Sequence, residues 1–357
     1  MCVPLRAQSI TTKSPSILPS LLSVTIFAAM DLRFQPLGRW LEGHFGSPTY
    51  RVALDAGSTC PNRDGSKGFG GCVYCDVEGS GTGALRTGQD LSEQLELGLK
   101  RVSRRQQHAG GAHGAIAYFQ SYSNTYVETE RLKEVLKVVE PHLGERVVAV
   151  SVASRPDTLP DECLDILEEL SQRVEIWLEL GLEAADDDLL VKIGRMHTVD
   201  EFYEASERAS KRGIGVVGHA ILGLPGDDRA GAQRTAEVLA ASQVWGVKVH
   251  HLMILKRTIL EGWWRKGEVE TLAPEVYIEW LADFIERLHP EQIVHRVTGE
   301  SPPEKLLAPH WEVSKNWVRE QLTRTLSLRG TEQGAKCTSE APPLFARAQR
   351  QSSHGGT

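Results

Sequence analysis

Six short apolar runs alternate with segments of helical spacing along this chain of 357 residues, and this alternation constrains the fold more than any other feature. The runs cover residues 51–57, 114–120, 146–154, 173–182, 213–224 and 247–255. Each is continuously apolar, as expected of a strand that is buried on both faces. Regular alternation of such strands with helices predicts an α/β fold with a parallel sheet and right-handed crossovers. Periodicity alone leaves open whether the sheet curls into a partial barrel or lies flat as a doubly wound sheet.

Polar or glycine-rich sequence follows the end of each apolar run. The second to fifth runs, for example, end in "QSYSNTY", "SRPDTLP", "ELGLEAAD" and "GHAILGLPGD". Ligands bind at the carboxyl ends of the strands in parallel α/β folds, because loops and helix N-termini meet there. Turn formation alone explains any one of these loops. Taken together, they predict a binding site at one mouth of the sheet.

The loop after the first run, "CPNRDGSKGFGGCVYC" (residues 60–75), holds three of the six cysteines. Such crowding differs from a disulfide framework and predicts a reducing compartment and a metal site. Three thiolates suffice for three irons of a [4Fe–4S] cluster, which leaves the fourth iron open to another ligand. A structural zinc site requires four closed ligands. No fourth Cys or His lies in this loop, so zinc would need a ligand from elsewhere in the fold, and that alternative stays open.

The wider stretch "LDAGSTCPNRDGSKGFGGCVYCD" resembles the YhcC-like family of Elp3-related radical SAM proteins. Its cysteines follow the spacing C-x11-C-x2-C of that family, whereas C-x3-C-x2-C is usual in the superfamily. The short motifs "YFQSYSNTY", "SRPD", "LELGLE", "RMHT" and "GLPGD" follow the cysteines in the same order as the related motifs of this branch of the superfamily. The resemblance covers residues from about 30 to 325 and implies a partial (β/α)6 barrel of the TIM type with radical SAM activity.

The resemblance also implies roles for individual residues. Cys60, Cys72 and Cys75 would ligate a [4Fe–4S] cluster whose open iron holds S-adenosyl-L-methionine (SAM). The residues implied in SAM binding are Tyr74 near the adenine, Asn124 and Thr125 at the methionyl end, Gly223 beside the adenine, and Arg155, Glu179 and Glu183 around the ribose, carboxylate or substrate. Arg195 and His197 belong to the same group, with their roles open. No residue is assigned a catalytic role of its own.

Radical SAM chemistry implies the transfer of one electron into the sulfonium of SAM, which yields methionine and a 5′-deoxyadenosyl radical that abstracts hydrogen from a substrate. The sequence identifies neither the substrate nor the outcome of the reaction. The expected partner is a low-potential electron donor of the flavodoxin or ferredoxin type. Two alternatives stay open. One is a non-catalytic binding or structural protein stabilised by zinc or an Fe–S cluster, and the other is a tRNA-modifying radical SAM enzyme.

Charge gives little support to nucleic-acid binding, since the formal net charge is −7. The basic run "KRVSRRQQH" (residues 100–108) indicates a solvated helix face more readily than an RNA site. His250 and His251 are adjacent in the last apolar run, so strand alternation allows at most one of them to face the barrel interior. Cys163 lies between apolar neighbours in a predicted helix and is expected in the core.

The two ends of the chain differ from the part between them. Residues 1–29 are rich in Ser and Thr and contain no acid, which indicates either a targeting peptide or a start codon assigned too early. Their apolar part is too short to cross a bilayer. Residues 30–326 are predicted to form the radical SAM core with a C-terminal helical extension, and residues 327–357 a disordered tail. The expected location is cytoplasmic, or organellar if the first 29 residues are a transit peptide.

Overall fold

A curled sheet of parallel strands forms the centre of the computed structural model, which describes residues 32–76, 79, 90–109 and 114–344. The predicted N-terminal extension, residues 1–29, lies outside the described residues. The strands are β1 (Tyr50–Leu54), β2 (Ala115–Phe119), β3 (Val147–Ser154), β4 (Glu175–Glu183), β5 (Gly215–Leu222), β6 (Gly246–His251), β7 (Ile254–Leu255), β8 (Ile293–Arg296) and β9 (Leu306–Ala308). The first six and β8 form the parallel sheet, whereas β7 and β9 form a separate antiparallel pair.

The order of the strands resolves the choice that the sequence leaves open. In the seven-stranded sheet the strands lie side by side in the order in which they occur along the chain, from β1 through β6 to β8, without a reversal. A doubly wound sheet reverses its strand order at a switch point, where its ligands bind. Crossovers that all progress in one direction instead curl the sheet into a half-barrel. The predicted partial barrel is therefore confirmed, with seven strands in place of six.

All six predicted runs contain a strand of this sheet. The last run, residues 247–255, divides between β6 and the short strand β7. The sequence does not predict β8, which is four residues long and includes His295 and Arg296. A short strand with two polar residues carries no continuous apolar run, which is why the sequence pattern does not reveal it.

Helices follow most of the strands. They are α1 (Leu37–Phe45), α2 (Leu91–Ala109), α3 (Thr129–Lys137), α4 (Asp161–Ser171), α5 (Asp187–Lys192), α6 (Val199–Lys211), α7 (Arg229–Ala241), α8 (Ile259–Arg265), α9 (Pro274–Arg287) and α10 (Lys315–Arg329). A capping box fixes the start of α6, where the Thr198 hydroxyl accepts from the Glu201 amide and the Glu201 carboxylate accepts from the Thr198 amide. None of the described helices is both long and apolar enough to span a lipid bilayer.

Three tryptophans fill the inside of the half-barrel at the amino ends of the strands. Trp40 of α1 lies edge-on to Trp177 and Trp245, with ring centroids 6.1 and 4.8 Å away. The centroids of Trp177 and Trp245 are 5.0 Å apart. Packed aromatic rings of this size exclude water from that end of the barrel. A ligand therefore has to enter from the opposite end, where the strands finish.

The C-terminal segment differs from the predicted tail over residues 327–344. Helix α10 continues to Arg329, and the buried side chain of Gln333 donates hydrogen bonds to the carbonyls of His289 and Gln292, at 2.8 and 2.7 Å. Lys336 forms an ion pair with Glu286, whose side chain is fully buried in α9. Polar contacts hold this segment in place, so its polar composition misleads the sequence prediction. The remaining residues of the predicted tail, 345–357, lie outside the described part of the chain.

Candidate active site

The cysteine loop follows β1 at the open end of the half-barrel. Cys60, Cys72 and Cys75 are free thiols that line one cavity of about 250 Å³. The loop is anchored to the body of the protein through the amide of Val73, which donates to the carbonyl of Ile193 at 2.9 Å. Gly71 has a φ of 84°, a left-handed conformation that glycine adopts without strain. The fold therefore brings the three predicted ligands to one site.

Hydrogen-bond donors surround two of the three sulfurs. The guanidinium of Arg63 lies 3.3 Å from the sulfur of Cys75, while the Asn62 amide and the Arg195 guanidinium lie 3.6 and 3.9 Å from that of Cys72. Burial raises the pKa of Cys75 to about 11, and the neighbouring Cys72 adds to this rise, whereas Arg63 opposes it. A thiol with so high a pKa loses its proton at neutral pH when a metal ion binds the sulfur. The loop thus combines potential metal ligands with donors that stabilise negative charge on sulfur.

The arrangement of these ligands bears on the choice between a cluster and zinc. Within the described part of the chain, no three His, Cys, Asp or Glu side chains converge on a point that one metal ion could occupy. A zinc ion requires its ligands to meet at a single centre. The thiolates of an iron–sulfur cluster bind separate irons and stand farther apart. The described side chains thus form no closed zinc site, and the three cysteines match the ligand number of a cluster with one open iron.

The cavity extends from the cysteine loop into the interior of the half-barrel. Four of the residues predicted to bind SAM line its wall together with the three cysteines: Tyr74, Arg155, Glu179 and Glu183. Arg195, whose role the sequence leaves open, lines the same wall. These residues come from the loop after β1, from β4 and from the segments after β3 and α5. Residues up to 135 positions apart in the chain, as Cys60 and Arg195 are, thus share one surface.

Three other predicted residues do not line the cavity. The Asn124 amide donates to the carbonyls of Phe119 and Ala153, at 3.0 and 2.9 Å, and its oxygen accepts from the Ser58 hydroxyl at 3.0 Å. Thr125 is buried beside it and hydrogen-bonds to the Thr158 carbonyl. Both side chains therefore connect the loop after β2 to β3 or to the loop that follows it, and Asn124 also contacts the loop after β1.

Gly223 is the third predicted residue outside the cavity wall. It has a φ of 85°, and a Cβ at this position would lie 3.0 Å from the side chain of Leu272. The positive φ belongs to the turn that follows β5, and a larger side chain would be strained there. The structure thus shows a conformational requirement for glycine, while contact between Gly223 and SAM stays a prediction.

Gly181 creates space for an interaction between Arg195 and the end of β4. The guanidinium of Arg195 donates to the Gly181 carbonyl at 2.7 Å and lies 3.9 Å from a carboxylate oxygen of Glu183. A Cβ on Gly181 would lie only 2.5 Å from Glu183 Oε1 and 2.6 Å from Arg195 Nη2. Arg155 is fixed nearby by two hydrogen bonds to the Asp157 carboxylate, at 2.8 and 2.7 Å. The cavity wall is therefore built from charged groups held in defined positions.

Some polar atoms of this wall have no partner within the described residues. Tyr74 Oη, Arg155 Nη1 and Arg195 Nε are buried and make no hydrogen bond. An unsatisfied buried polar group costs about 1–3 kcal/mol. SAM offers a carboxylate, ribose hydroxyls and adenine nitrogens, which are suitable partners for such donors. Together with three free thiols, these atoms fit the cofactor set of a cluster and SAM.

A second polar group lies deeper in the barrel, and we refer to Tyr118, Ser151, Glu179, His219 and Lys248 as the interior polar cluster. Glu179 is at its centre. The Tyr118 hydroxyl and His219 Nε2 lie 2.7 and 3.0 Å from Glu179 Oε2, and the Ser151 hydroxyl donates to Oε1 at 2.7 Å. The ammonium of Lys248 also pairs with Oε2, and both charged side chains are almost completely buried. Both oxygens of the Glu179 carboxylate are thus hydrogen-bonded.

Electrostatics of the interior polar cluster follow from its burial and its cations. Burial raises the pKa of Glu179, but Lys248, His219 and Arg51 outweigh this and hold the pKa well below its usual value. Burial also lowers the pKa of Lys248 to about 7, and although Glu179 opposes this shift, Arg51 and Arg296 add to it. The cluster therefore holds an ionised carboxylate among a surplus of basic groups.

Sequence reasoning identifies Glu179 but misses its partners. Lys248 is a single charged residue inside the apolar run "VKVHHLMIL", and a charge in a strand that is buried on both faces is the signal that could have identified it. The ring of His250 lies 6.0 Å from that of His219 and lines the cavity. The ring of His251 stacks on Trp311 at 4.2 Å and also contributes to the cavity wall. Both rings therefore reach the cavity, so the prediction that at most one of the two histidines faces the barrel interior is wrong.

Two sequence features lie away from this cavity. Cys163 of α4 is fully buried, which confirms the prediction of a core cysteine. Lys100, Arg101 and Arg104 of the basic run are exposed on α2, a helix that packs against β1 and β2. Their exposure agrees with a solvated helix face, while RNA binding by this run stays untested.

Comparison with known proteins gives consistent matches over most of the chain. The model of the Radical SAM superfamily matches residues 59–239, and that of the Radical_SAM C-terminal domain matches residues 244–327. Protein YtqA of Bacillus subtilis is 37% identical over 308 residues, which cover 86% of this chain and 94% of YtqA. Protein YhcC of Escherichia coli K12 is 32% identical over 304 residues, which cover 85% of this chain and 95% of YhcC.

A solved structure shares the fold at low sequence identity. The archaeal Elp3 of Methanocaldococcus infernus, with residues 1–46 deleted, aligns with a TM-score of 0.61 and 16% identity. The alignment covers 80% of this chain and 64% of that chain. At this level of identity the likeness concerns the fold, and it agrees with the half-barrel described above.

Proposed function

This chain belongs to the radical SAM superfamily and to its YhcC-like family, and on that premise we propose that it cleaves SAM reductively to start hydrogen abstraction from a substrate in the barrel cavity. As a radical SAM enzyme it uses a [4Fe–4S] cluster and SAM as cofactors. The observation that carries the proposal is the presence of three free thiols and several unpaired buried donors in one cavity.

The cysteine loop would hold the cluster. Cys60, Cys72 and Cys75 supply three sulfur ligands, and one iron is left for SAM. When bound and reduced, the cluster supplies one electron to SAM, whose carbon–sulfur bond breaks to give methionine and a 5′-deoxyadenosyl radical. Arg63 and Asn62 donate toward the cysteine sulfurs and thereby stabilise their negative charge. These two residues act on the cluster through its ligands.

The wall around the cysteine loop would hold SAM. The free donors Arg155 Nη1, Arg195 Nε and Tyr74 Oη are available to the carboxylate, ribose or adenine of SAM. Glu183, which faces Arg195, is available to the ammonium group or to the ribose. Asn124 and Thr125 act as positioning residues, because their hydrogen bonds fix the loops that carry this wall. Gly223 lets the chain turn after β5 without strain.

The reaction also requires a reductant and a substrate. We propose a low-potential donor of the flavodoxin or ferredoxin type as the reductant. The substrate would occupy the deeper part of the cavity, between the cysteine loop and the interior polar cluster. Enclosure by strands and loops keeps water and other hydrogen donors away from a reactive centre in this position.

Anaerobic reconstitution tests the proposed function. The purified protein is loaded with iron and sulfide, reduced, and assayed for 5′-deoxyadenosine released from SAM without any added substrate. We expect slow release by the wild type and none by Cys72→Ser, because that variant lacks one cluster ligand. Cys163→Ser is the matched control, since it also removes a thiol but lies in the core of α4. Release by Cys72→Ser at the wild-type rate, with its fold intact by circular dichroism, would contradict the proposal.

A further inference from the structure

The deep end of the cavity contains more positive than negative charge. Arg51 is in β1 and Arg296 is the last residue of β8, the two edge strands of the half-barrel. Both lie close enough to Lys248 to act on it electrostatically. The buried carboxylate of Glu179 already pairs with Lys248. Arg51 and Arg296 therefore add positive charge that Glu179 does not balance.

The two arginines also have unused hydrogen-bond donors. Nε and Nη2 of Arg51 are buried without a partner in the described part of the chain. Arg296 lines the cavity and forms no hydrogen bond or ion pair with any described residue. A buried guanidinium without a partner carries an uncompensated desolvation cost, which an anion bound to it offsets. Arg296 thus presents a half-buried, unpaired guanidinium to the space that we assign to the substrate, whereas the unsatisfied donors of Arg51 do not line the cavity.

The interior polar cluster does not supply the missing partner. Both oxygens of Glu179 are occupied, by Tyr118, His219 and Lys248 on one side and by Ser151 on the other. Lys248 neutralises its charge at short range. An additional anion at Arg296 would therefore meet a locally compensated pair and one free guanidinium group.

Depth separates this region from the SAM site. Glu179 precedes the end of β4 at Glu183 by four residues, which corresponds to roughly 13 Å along a parallel strand. The cysteine loop lies beyond the strand ends, so the polar ends of SAM belong at the mouth. The free donors of Arg296 are consequently available to a second molecule in the cavity.

We propose that Arg296, beside Lys248, binds an oxyanion of the substrate, a carboxylate or a phosphate group, while Arg51 adds positive charge without lining the cavity, an assignment that rests on the proposed function. The planar fork of a guanidinium matches both groups, which accept two parallel hydrogen bonds. A substrate with only amines or apolar groups would leave the donors unsatisfied. The substrate class is thus an anionic molecule whose charged end points into the barrel and whose reacting carbon lies toward the cysteine loop.

Binding of simple anions to the reconstituted protein tests this assignment without turnover. Acetate and inorganic phosphate are titrated by calorimetry, and potassium chloride at equal ionic strength serves as the reference. We expect one or both oxyanions to bind to the wild type, and the acetate and phosphate arms show which group the site prefers. The affinity of Arg296→Gln should fall by roughly tenfold or more, as expected for the loss of a charged hydrogen bond.

Two further variants make the result specific to the site. Arg296→Lys keeps the charge but loses the fork, so its affinity should lie between those of the wild type and Arg296→Gln. Arg173→Gln removes an arginine that pairs with Glu140 on the surface, and it should bind like the wild type. Equal anion affinity in wild type and Arg296→Gln, or no oxyanion binding above chloride, would overturn the assignment. Release of 5′-deoxyadenosine by the wild type is measured in a separate assay. That assay tests the proposed function, and the anion titration tests the oxyanion site.

Discussion

Glu179 on β4 and Lys248 on β6 form a buried ion pair that crosses the interior of the half-barrel over the intervening strand β5. A buried pair of this kind stabilises the fold little in comparison with apolar packing, yet the loss of one partner leaves the other charge uncompensated. We therefore expect Glu179→Gln to lower the free energy of unfolding by about 3–5 kcal/mol. Urea unfolding followed by circular dichroism measures this change.

A double variant separates the pair from its surroundings. Glu179→Gln combined with Lys248→Met should cost less than the sum of the two single changes, because the second removes a charge that the first leaves unpaired. Glu261→Gln is the matched surface control, since Glu261 pairs with Arg265 on α8, and it should cost less than about 1 kcal/mol. Strict additivity of the two buried changes would show that the pair is not energetically coupled.

The same carboxylate predicts a dependence of stability on pH. Lys248, His219 and Arg51 hold the pKa of Glu179 well below its usual value of 4.5, although burial opposes them. Between the lowered pKa and 4.5, the unfolded chain binds a proton that the folded protein does not, so stability is lost as the pH falls through this range. A glutamine side chain does not titrate, so Glu179→Gln lacks this dependence of stability on pH.

The part of the wild-type advantage over Glu179→Gln that comes from the ionisation of this carboxyl should consequently be complete only above about pH 4.5, its usual value. As the pH falls below this value, the difference between the two proteins should shrink. Unfolding curves of both proteins at several pH values from neutral to acid measure this difference directly. A difference that grows toward acid pH would mean that the folded protein binds the proton more tightly than the unfolded chain.

Much of the architecture is readable from the sequence because its strands are buried on both faces. Continuous apolar runs mark β1 to β6, and only the order of the strands in space was needed to choose the half-barrel. The short strand β8 escapes detection because half of it is polar. Residues 330–344 escape for a related reason, since Gln333 and Lys336 are held by hydrogen bonds and ion pairs with distant partners.

The mouth of the barrel is more predictable than its interior. Cys72, Tyr74 and Glu183 lie at or beyond strand ends, where the topology of parallel sheets directs attention, and they line one cavity. Lys248 and Tyr118 lie within strands whose two faces are both buried, so alternation does not reveal which side chain points into the barrel. Their role follows from three-dimensional contacts with Glu179, and no spacing in the sequence encodes these contacts.

The position of Arg63 leads to a prediction for the reduction potential of the cluster that we assign to the cysteine loop. Its guanidinium lies 3.3 Å from the sulfur of Cys75, where a positive charge stabilises the reduced, more negative cluster. Arg63→Gln should therefore lower the reduction potential. Potentiometric titration followed by electron paramagnetic resonance measures the change, and Arg131→Gln, on the surface of α3 beside Glu134, serves as the control. An unchanged or higher potential in Arg63→Gln would contradict a role for this arginine at the cluster.

A substitution of Gly181 tests how strongly SAM binding depends on the position of Arg195. A methyl group at this position would lie 2.5 Å from Glu183 Oε1 and 2.6 Å from Arg195 Nη2, so both side chains have to move in Gly181→Ala. The φ of Gly181 is not in the left-handed region, so the change acts through this contact and adds little backbone strain. We expect SAM to bind at least about tenfold more weakly, as for the loss of one charged hydrogen bond.

Equilibrium dialysis with reconstituted protein under anaerobic conditions measures that affinity. Gly43→Ala is the matched control, because a Cβ there meets no atom within 4 Å and the residue lies in α1, far along the chain from the cavity residues of β4. Alanine also favours a helix over glycine, so this control should keep its SAM affinity and unfold no more easily than the wild type. If Gly181→Ala binds SAM as tightly as Gly43→Ala, then Arg195 and Glu183 do not hold SAM, and the unpaired Arg195 Nε serves another ligand.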